Sequence, residues 1–138
     1  MHFCCICFKN KDPTTPVEKS FVVYKFKCYC ESNYIGKTSR HLKTRIKEHV
    51  PKCITSYISD RKDKMSAAVK NAMKKSSIAE HLVNNPSCGN NFEISNFSIL
   101  RKCSNIIDLI KLEAILIHLV KPNLCKKKEF DYTIALFS

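Results

Sequence analysis

Residues 22–49, VVYKFKCYCESNYIGKTSRHLKTRIKEH, constrain the fold more than any other part of the chain. β-Branched and aromatic side chains run without a breaker through residues 21–27, which predicts a strand. Residues 33–37 predict a second short strand that Gly36 ends, and residues 28–32 between them have the length of a hairpin loop. The domain is therefore expected to begin with two antiparallel strands.

The first predicted helix follows the second strand directly. Ser39 is a suitable N-cap for a basic helix that runs to about His49, and Pro51 stops that helix because its ring cannot continue it. Residues 54–75 are charged and only weakly amphipathic. We interpret them as a charged insertion after the first helix that is helical in part.

The second half of the chain predicts two further helices and one strand. Residues 77–84 predict a short helix that the turn-rich NNPSCGNN sequence ends. Residues 92–100 alternate loosely between apolar and polar side chains, which predicts a third strand. Asn105 caps the longest helix, residues 106–120, and Pro122 closes it. This order predicts an α+β fold, in which a small three-stranded antiparallel sheet is flanked by helices.

Length and charge indicate one domain with a polyanionic partner. The chain has 138 residues, and we expect an irregular lead-in over residues 1–20, the domain over 21–125 and a tail over 126–138. With 24 Lys and Arg against 12 Asp and Glu, the net charge is +12. Such a surplus favours nucleic acid as the partner. An anionic membrane surface is a weaker alternative, because no strongly amphipathic helix with bulky aromatic residues supports it.

The cysteines and the apolar runs indicate an intracellular protein. No run reaches the ~18 uncharged apolar residues of a membrane helix, and the N-terminus lacks the basic start of a signal peptide. The nine cysteines are an odd number, which suits thiols or metal ligands in a reducing compartment. We expect no membrane and no small-molecule substrate among the partners, and a nuclear location.

One carboxylate in the last predicted helix lies on the apolar side. At ~100° per residue, Asp108, Lys111 and His118 share a polar face. Glu113 falls instead within the apolar stripe. That stripe consists of Ile106, Leu109, Ile117 and Val120. A carboxylate there is costly unless a divalent cation or an arginine pairs with it; a Glu at the rim of the stripe that reaches solvent is the plainer alternative.

The first predicted helix supplies a cationic partner. Arg45 and His49 lie one turn apart and flank its apolar line. Phosphodiester hydrolysis needs an acid that holds a metal, a cation for the transition state and a group that delivers the nucleophile. The two tyrosines of the strands, Tyr24 and Tyr34, join these residues and Glu113 in such a set. Arg40, Lys43 and Lys47 point more outward and, together with Lys37, are the candidates for DNA binding.

At these residues the chain resembles the GIY-YIG nuclease superfamily, and within it the endonuclease domain of Penelope-like retroelements. Val22-Val23-Tyr24 stands where the family has G-I-Y, and Tyr34-Ile35-Gly36 is the Y-I-G element unaltered. The run YIGKTSRHLKTRIKEH resembles the family's passage from strand to helix, and KLEAILIHLVKPNL resembles its C-terminal helix. The resemblance covers about residues 12–125, with valine in place of the first glycine.

The resemblance implies a Mg²⁺- or Mn²⁺-dependent DNA endonuclease, which in a retroelement nicks target DNA to prime reverse transcription. Tyr24 would be the general base near a metal-bound water, and Tyr34 would order the site. Arg45 would stabilise the transition state, and Glu113 would hold the metal. Further candidate catalytic residues, which match family positions, are Lys37, His49 and Asn123.

The same resemblance implies a zinc site of two cysteines and two histidines, with the cysteines between the tyrosine motifs. Cys28 and Cys30 fill that place, and His81 fits the third position. Where the family has a second histidine this chain reads CGNNF, and Cys88 could take the fourth position instead. Such a site would pin the hairpin loop to a distant helix.

Alternatives stay open for the metal sites and for the function. His41 or His49 could be the third ligand, or the four residues could be unlinked. A second cluster is weakly suggested by His2, Cys4, Cys5 and Cys7, and the ordinary thiols would be Cys53, Cys103 and Cys125. The chain could also be a decayed or domesticated copy, which binds DNA or RNA as a zinc-stapled basic module and does not cut it.

Overall fold

The computed structural model describes residues 19–60 and 64–125. Its strands are β1 (Val22–Lys27), β2 (Asn33–Thr38) and β3 (Phe97–Lys102). Its helices are α1 (Leu42–His49), α2 (Lys52–Ser59), α3 (Ala67–Lys75), α4 (Ser77–Asn84), α5 (Pro86–Asn90) and α6 (Ile106–Val120), with a 3₁₀ turn, Ile94–Asn96, before β3. The predicted α+β fold with a three-stranded antiparallel sheet flanked by helices is confirmed.

Some sequence predictions lie outside the described residues. They are the lead-in up to residue 18, the tail from residue 126, and the weak cluster of His2, Cys4, Cys5 and Cys7. Within the two described ranges, no helix is long and apolar enough to cross a membrane.

The central strand of the sheet is β1, which pairs antiparallel with both β2 and β3. Tyr24 faces Gly36 on one side and Ile99 on the other, and the β1–β3 ladder shifts register between Val23 and Tyr24. Successive strand residues point to opposite faces. Because Val23 and Tyr24 are both fully buried, the helices cover both faces of the sheet at this point.

Gly36 is required by the two tyrosine rings beside it. A Cβ atom at Gly36 would lie 2.5 Å from the hydroxyl oxygen of Tyr24 and 2.8 Å from Cε1 of Tyr34. The centroids of the two tyrosine rings are 6.4 Å apart. The missing side chain therefore makes the room in which the Tyr24 hydroxyl lies.

The start of α1 differs from the prediction, in which Ser39 was the N-cap. The N-cap is His41, whose side chain makes no capping hydrogen bond. The N–H of Leu42 instead donates to the carbonyl of Lys19 over 2.9 Å. The prediction was wrong because backbone from before β1 supplies the partner that a side chain was expected to supply. Pro51 follows α1 as expected and is also the N-cap residue of α2.

The segment 54–75 is more structured than its charge indicates. It contains most of α2 and the whole of α3, and Ile54, Ile58 and Val69 are buried in the core. Ser66 caps α3 by accepting a hydrogen bond from the N–H of Val69 over 3.3 Å. Its helical character agrees with the prediction, and its status as an insertion stays a prediction.

The third strand begins later than predicted. It starts at Phe97, not at residue 92. The side chain of Asn96 accepts a hydrogen bond from the N–H of Glu93 over 2.7 Å, and the Glu93 side chain accepts in return from Asn96. This local pair of bonds stabilises the 3₁₀ turn and competes with an extended backbone. The loose alternation of apolar residues gave no sign of these bonds, so the start of the strand was predicted too early.

Candidate active site and metal centre

The hydroxyl of Tyr24 lies where β1 meets α1. Its oxygen is 2.6 Å from Nε2 of His49 and accepts a hydrogen bond from Nε of Arg45 over 3.1 Å. Both partners come from the same face of α1, since residues four apart lie one turn from each other. Tyr24 and His49 are buried, and Arg45 is half-buried. The fold therefore brings Tyr24, Arg45 and His49 together, as predicted.

His49 is a neutral imidazole in an aromatic pocket. Its ring centroid lies 5.1 Å from that of Tyr34, 5.9 Å from that of Tyr24 and 6.2 Å from that of Phe97. Burial, aided by the positive charge of Arg45, lowers the pKa of His49 to about 3. At neutral pH the ring therefore offers one N–H donor and one nitrogen acceptor.

Arg45 keeps its charge at this site. Burial alone would lower its pKa, but the neighbouring Tyr24 oxygen and Glu48 carboxylate outweigh burial, and the pKa is raised. Glu48 accepts from Arg45 over 3.0 Å and pairs with Arg40 over 2.6 Å. Burial would raise the pKa of Glu48, yet the two arginines lower it. The arrangement holds a fixed cation against the tyrosine oxygen.

Glu113 pairs with Lys37, a residue of β2. The Nζ of Lys37 donates to Oε1 of Glu113 over 3.0 Å, and the Glu113 side chain is 18% exposed. The largely buried carboxylate and its cationic partner agree with the prediction that an acid in the apolar stripe of this helix needs a positive charge beside it. The cation is a lysine, where the sequence suggested an arginine or a metal ion.

The faces of α6 follow the prediction only in part. The polar-face residues are exposed as predicted; they are Asp108, Lys111 and His118. Leu109 and Ile117 are buried, but Ile106 and Val120, predicted to lie in the apolar stripe, are 46% and 44% exposed. The stripe is therefore shorter than predicted, since both of its end residues reach solvent.

A cavity of about 200 Å³ joins the two halves of the candidate site. Lys37 and Arg45 both line it, together with Ile106 and Leu109 of α6. Lys37 and Thr38, successive residues of the edge strand β2, both line this cavity. The cationic lining suits a phosphate group.

Asn123 lies elsewhere, at the hairpin loop. Its Oδ1 accepts from the N–H of Asn33 over 2.8 Å, and its Nδ2 donates to Oγ of Ser32 over 3.1 Å. The residue was predicted to be catalytic, but these contacts place it beside the start of β2, and they fit a positioning role for the loop.

Three thiols and one imidazole meet at the closed end of the hairpin. The ligand atoms of Cys28, Cys30, His81 and Cys88 all lie within 4.8 Å of one another. A tetrahedral zinc ion with Zn–S bonds of ~2.3 Å would hold its ligands about 3.8 Å apart. The group could therefore hold a metal ion, and its donors fit zinc. The predicted ligand set, including Cys88 in the fourth position, is brought together.

The hairpin loop has the local geometry that presents two of these thiols. The N–H of Cys28 donates to the carbonyl of Ser32 over 2.7 Å, and Glu31 has the left-handed φ of 75°. This tight turn places Cys28 on the buried side and Cys30 on the exposed side. The Sγ of Cys30 is 3.3 Å from Nε2 of His81.

The electrostatics of the cluster favour a bound cation. Hydrogen bonds with Ser32 lower the pKa of Cys30 to about 6. Burial, together with the adjacent Cys28 and Cys30, raises the pKa of Cys88 to about 12. Adjacent thiolates repel one another, and a bound cation would compensate that repulsion.

The alternative ligands are not part of this cluster. His41 is exposed at the start of α1, and His49 contacts Tyr24. The predicted ordinary thiols are free cysteines; they are Cys53, Cys103 and Cys125. Lys43 and Lys47 are exposed on α1, as expected of DNA-binding residues, and Arg40 is exposed but paired with Glu48.

Two serines that were not predicted as site residues, Ser76 and Ser32, contact the candidate sites. Ser76 caps α4 and lies against His49, and Ser32 bonds both Cys30 and Asn123. A serine directly before a predicted helix was the available signal for Ser76. No sequence pattern marked Ser32, because its contacts come from distant parts of the chain.

No family model matches the chain, and comparisons with curated proteins and with solved structures found no match. The relationship that the motifs imply therefore stays a proposal.

Proposed function

We propose that this chain is a metal-dependent DNA endonuclease, which nicks phosphodiester bonds in the manner of the GIY-YIG domain of Penelope-like retroelements. The observation that carries the proposal is the buried Tyr24 hydroxyl, held 2.6 Å from a neutral His49 and 3.1 Å from a cationic Arg45. A phenol beside a fixed positive charge loses its proton more readily, because the charge stabilises the phenolate.

Tyr24 acts as the general base that takes a proton from the attacking water. His49 fixes the position of the phenol oxygen, and its neutral form adds no second positive charge beside Arg45. Arg45 neutralises the charge that develops on the scissile phosphate. Tyr34 packs against both rings, 5.1 Å from His49 and 6.4 Å from Tyr24, and orders the site.

Glu113 is the residue that would hold Mg²⁺ or Mn²⁺. Mg²⁺ is commonly bound through one or two carboxylates together with substrate phosphate oxygens, so a single acid fits it. When bound, the ion polarises the phosphate and lowers the pKa of a coordinated water. Lys37, which now pairs with Glu113, lines the adjacent cavity and can turn its charge toward the phosphate.

DNA is the substrate that fits the surface around the site. The net charge is +12, and Lys43 and Lys47 are exposed on the helix that carries Arg45. These contacts would go to backbone phosphates, so we expect weak sequence preference. A protein that nicks chromosomal DNA acts in the nucleus, and we infer that location.

Zinc is the metal that we assign to the cluster of Cys28, Cys30, His81 and Cys88. Four protein ligands complete a tetrahedron and leave no open position, which is typical of a structural zinc site. The ion would join the hairpin loop to α4 and α5, far along the sequence.

Incubation of the purified chain with supercoiled plasmid tests the proposed function. We expect nicking with Mg²⁺ or Mn²⁺, and a loss of about 10²- to 10³-fold in Arg45→Ala, the size seen when one transition-state donor is removed. Arg101→Ala, which removes an exposed arginine from β3, is the matched control. A folded protein that nicks with neither metal overturns the proposal.

A non-catalytic nucleic-acid-binding module is the second candidate function. The net charge of +12 and the closed four-ligand cluster support it, since both serve a protein that only holds DNA or RNA. The two candidates differ at Glu113, because a pure binder gains nothing from an acid beside a phosphate site.

A further inference from the structure

Ser76 connects a helix end to the histidine of the candidate site. Its Oγ accepts a hydrogen bond from the N–H of Ala79 over 3.1 Å, which caps α4. The same oxygen lies 3.2 Å from Nδ1 of His49. Ser76 is 4% exposed, and its hydroxyl lies between these two neighbours. The contacts form one chain, from Ser76 through His49 and Tyr24 to Arg45.

The direction of the hydrogen bonds in this chain has two solutions. Arg45 can only donate, so the Tyr24 oxygen accepts from it in both. In the first, Tyr24 donates its proton to Nε2 of His49, and Nδ1–H donates to Ser76. In the second, Ser76 donates to Nδ1, and Nε2–H donates to the Tyr24 oxygen. Both solutions pair Arg45, the Tyr24 oxygen and both nitrogens of His49, and they differ in whether the Ser76 hydroxyl accepts from Nδ1 or donates to it.

The two solutions suit two ionisation states of Tyr24. The first requires a phenol with its proton, because Tyr24 is the donor to His49. The second serves a phenolate, which accepts from two N–H groups at once, those of Arg45 and His49. Only a group at Nδ1 that can both accept and donate allows a neutral imidazole to adopt either form, and a serine hydroxyl is such a group.

We propose that Ser76 is a positioning residue that lets His49 change from acceptor to donor when Tyr24 ionises. Tyr24 passes its proton to Nε2, Nδ1 passes its proton to the Ser76 oxygen, and Ser76 gives up its original hydroxyl proton. The new Ser76 O–H then donates to Nδ1. The net change is one proton released to water, with His49 neutral before and after. This role of Ser76 rests on the proposed function, in which Tyr24 is the general base. Ser76 is then the residue that lets His49 stabilise the ionised form of that base.

Other charged or titratable groups on the elements around Tyr24 set the background of its ionisation. Arg45 bonds the Tyr24 oxygen, Glu48 pairs with Arg45, and Tyr34 of β2 packs on the Tyr24 ring. Glu113, which pairs with Lys37, lies on α6, a helix that contacts β1. Phe97 of β3 also packs on Tyr24 and carries no charge. Substitution at Ser76 leaves all of these in place.

The ionisation of Tyr24 can be followed by NMR with tyrosine labelled with ¹³C at Cζ, assigned by comparison with Tyr24→Phe. A hydrogen bond to a charged group changes an ionisation midpoint by about one pH unit or more. We expect Ser76→Ala to raise the Tyr24 midpoint by about that amount, and Ser76→Thr to restore it. In the wild type, the ¹⁵N shifts of Nδ1 and Nε2 of His49 should exchange across the same midpoint.

Two variants separate this role from helix capping. Ser76→Gly removes the hydroxyl at an N-cap, where glycine costs much less than alanine, and it should raise the midpoint as Ser76→Ala does. Ser66→Ala removes the equivalent cap from α3, distant from His49, and should leave the midpoint unchanged. An unchanged midpoint in Ser76→Ala and Ser76→Gly overturns the proposal, as does an equal shift in Ser66→Ala. The titration needs no nicking, so its failure and that of the endonuclease proposal are distinguishable.

Discussion

The two ends of the β1–β2 hairpin carry two different kinds of site. At the closed end, Cys28, Cys30, His81 and Cys88 form a set of ligands that one ion would complete. At the open end, Arg45 and Lys37 line a cavity and contact a base candidate, Tyr24, and a single acid, Glu113, and this site would need a phosphate and a metal to complete it. The first arrangement is sufficient for structure. The second becomes useful only when a substrate enters.

One helix connects the two sites. α4 carries His81 in the cluster, and its N-cap, Ser76, contacts His49 in the candidate active site. A metal bound at the closed end would therefore fix the helix that orients the histidine at the open end. We therefore expect that a substitution at the open end can abolish nicking while zinc stays bound at the closed end. Loss of the zinc, in contrast, should disturb both ends.

The largest effect is expected for Tyr24→Phe. The ring keeps its packing, but the hydroxyl that would act as the base is lost, so nicking should fall by about 10²- to 10⁴-fold. Zinc content should stay at the wild-type level, because the cluster is untouched. Tyr29→Phe, which alters the 64% exposed tyrosine of the hairpin loop, is the control. Wild-type nicking by Tyr24→Phe would contradict the assignment of the open end.

Loss of the metal is the next largest effect. Cys88→Ala removes a buried ligand and should abolish stoichiometric zinc binding. A site filled at about 1,000 times its Kd stabilises the fold by about 4 kcal/mol, so the free energy of unfolding in denaturant should fall by about that amount. Cys53→Ala, a half-buried cysteine outside the cluster, should keep its zinc. A Cys88→Ala protein with full zinc content would contradict the assignment of Cys88 as a zinc ligand at the closed end.

Acid should destabilise the open end through His49. The pKa of His49 is lowered to about 3 in the folded protein and is ~6.5 in an unfolded chain, so the unfolded state binds more protons between these values. The contribution of His49 is present above pH ~6.5 and is lost as the pH falls toward 3, by up to about 1.4 kcal/mol per pH unit.

Urea unfolding between pH 7 and pH 4 measures this slope. His49→Gln should show a smaller fall in stability with decreasing pH than the wild type. His118→Gln, at an exposed position of α6, should match the wild type. Equal slopes in His49→Gln and the wild type would mean that His49 is not held neutral by burial.

The smallest effect is expected on the DNA-binding surface. Each lysine that contacts a phosphate contributes about 0.9 to the slope of log affinity against log salt. Lys47→Ala should lower the slope by about one, whereas Lys111→Ala, exposed on α6, should not. If both variants lower it equally, DNA does not bind preferentially along α1.

The parts of the fold that are encoded locally could be predicted from the sequence. An unbroken run of β-branched and aromatic residues predicted β1, and the hairpin spacing and Gly36 predicted β2. Asn105 was predicted correctly as the cap of α6, where it accepts from the N–H of Asp108 over 2.9 Å. These features depend on few neighbours, so the sequence pattern is sufficient for them. The cluster of Cys28, Cys30, His81 and Cys88 joins distant parts of the chain, and it was predicted from the resemblance to a known family, with Cys88 in place of a histidine.

The errors have a common physical cause, which is contact between distant or competing groups. The expected N-cap at Ser39 was displaced by the backbone of Lys19, and the start of β3 was displaced by bonds between Glu93 and Asn96. Ser76 was missed because its contact with His49 crosses 27 residues of sequence. Tertiary partners of this kind are not visible in periodicity or propensity.

Glu113→Gln tests most directly the claim that the open end performs chemistry. The substitution keeps the size of the side chain and removes the charge that would hold Mg²⁺, so nicking of saturating supercoiled plasmid should fall by about 100-fold or more. The Kd for the same DNA should stay equal or become tighter, because a negative charge beside the phosphate is removed. Nicking at the wild-type rate would contradict the claim that the open end performs chemistry. A loss of nicking that is fully explained by weaker binding of the DNA would contradict it as well.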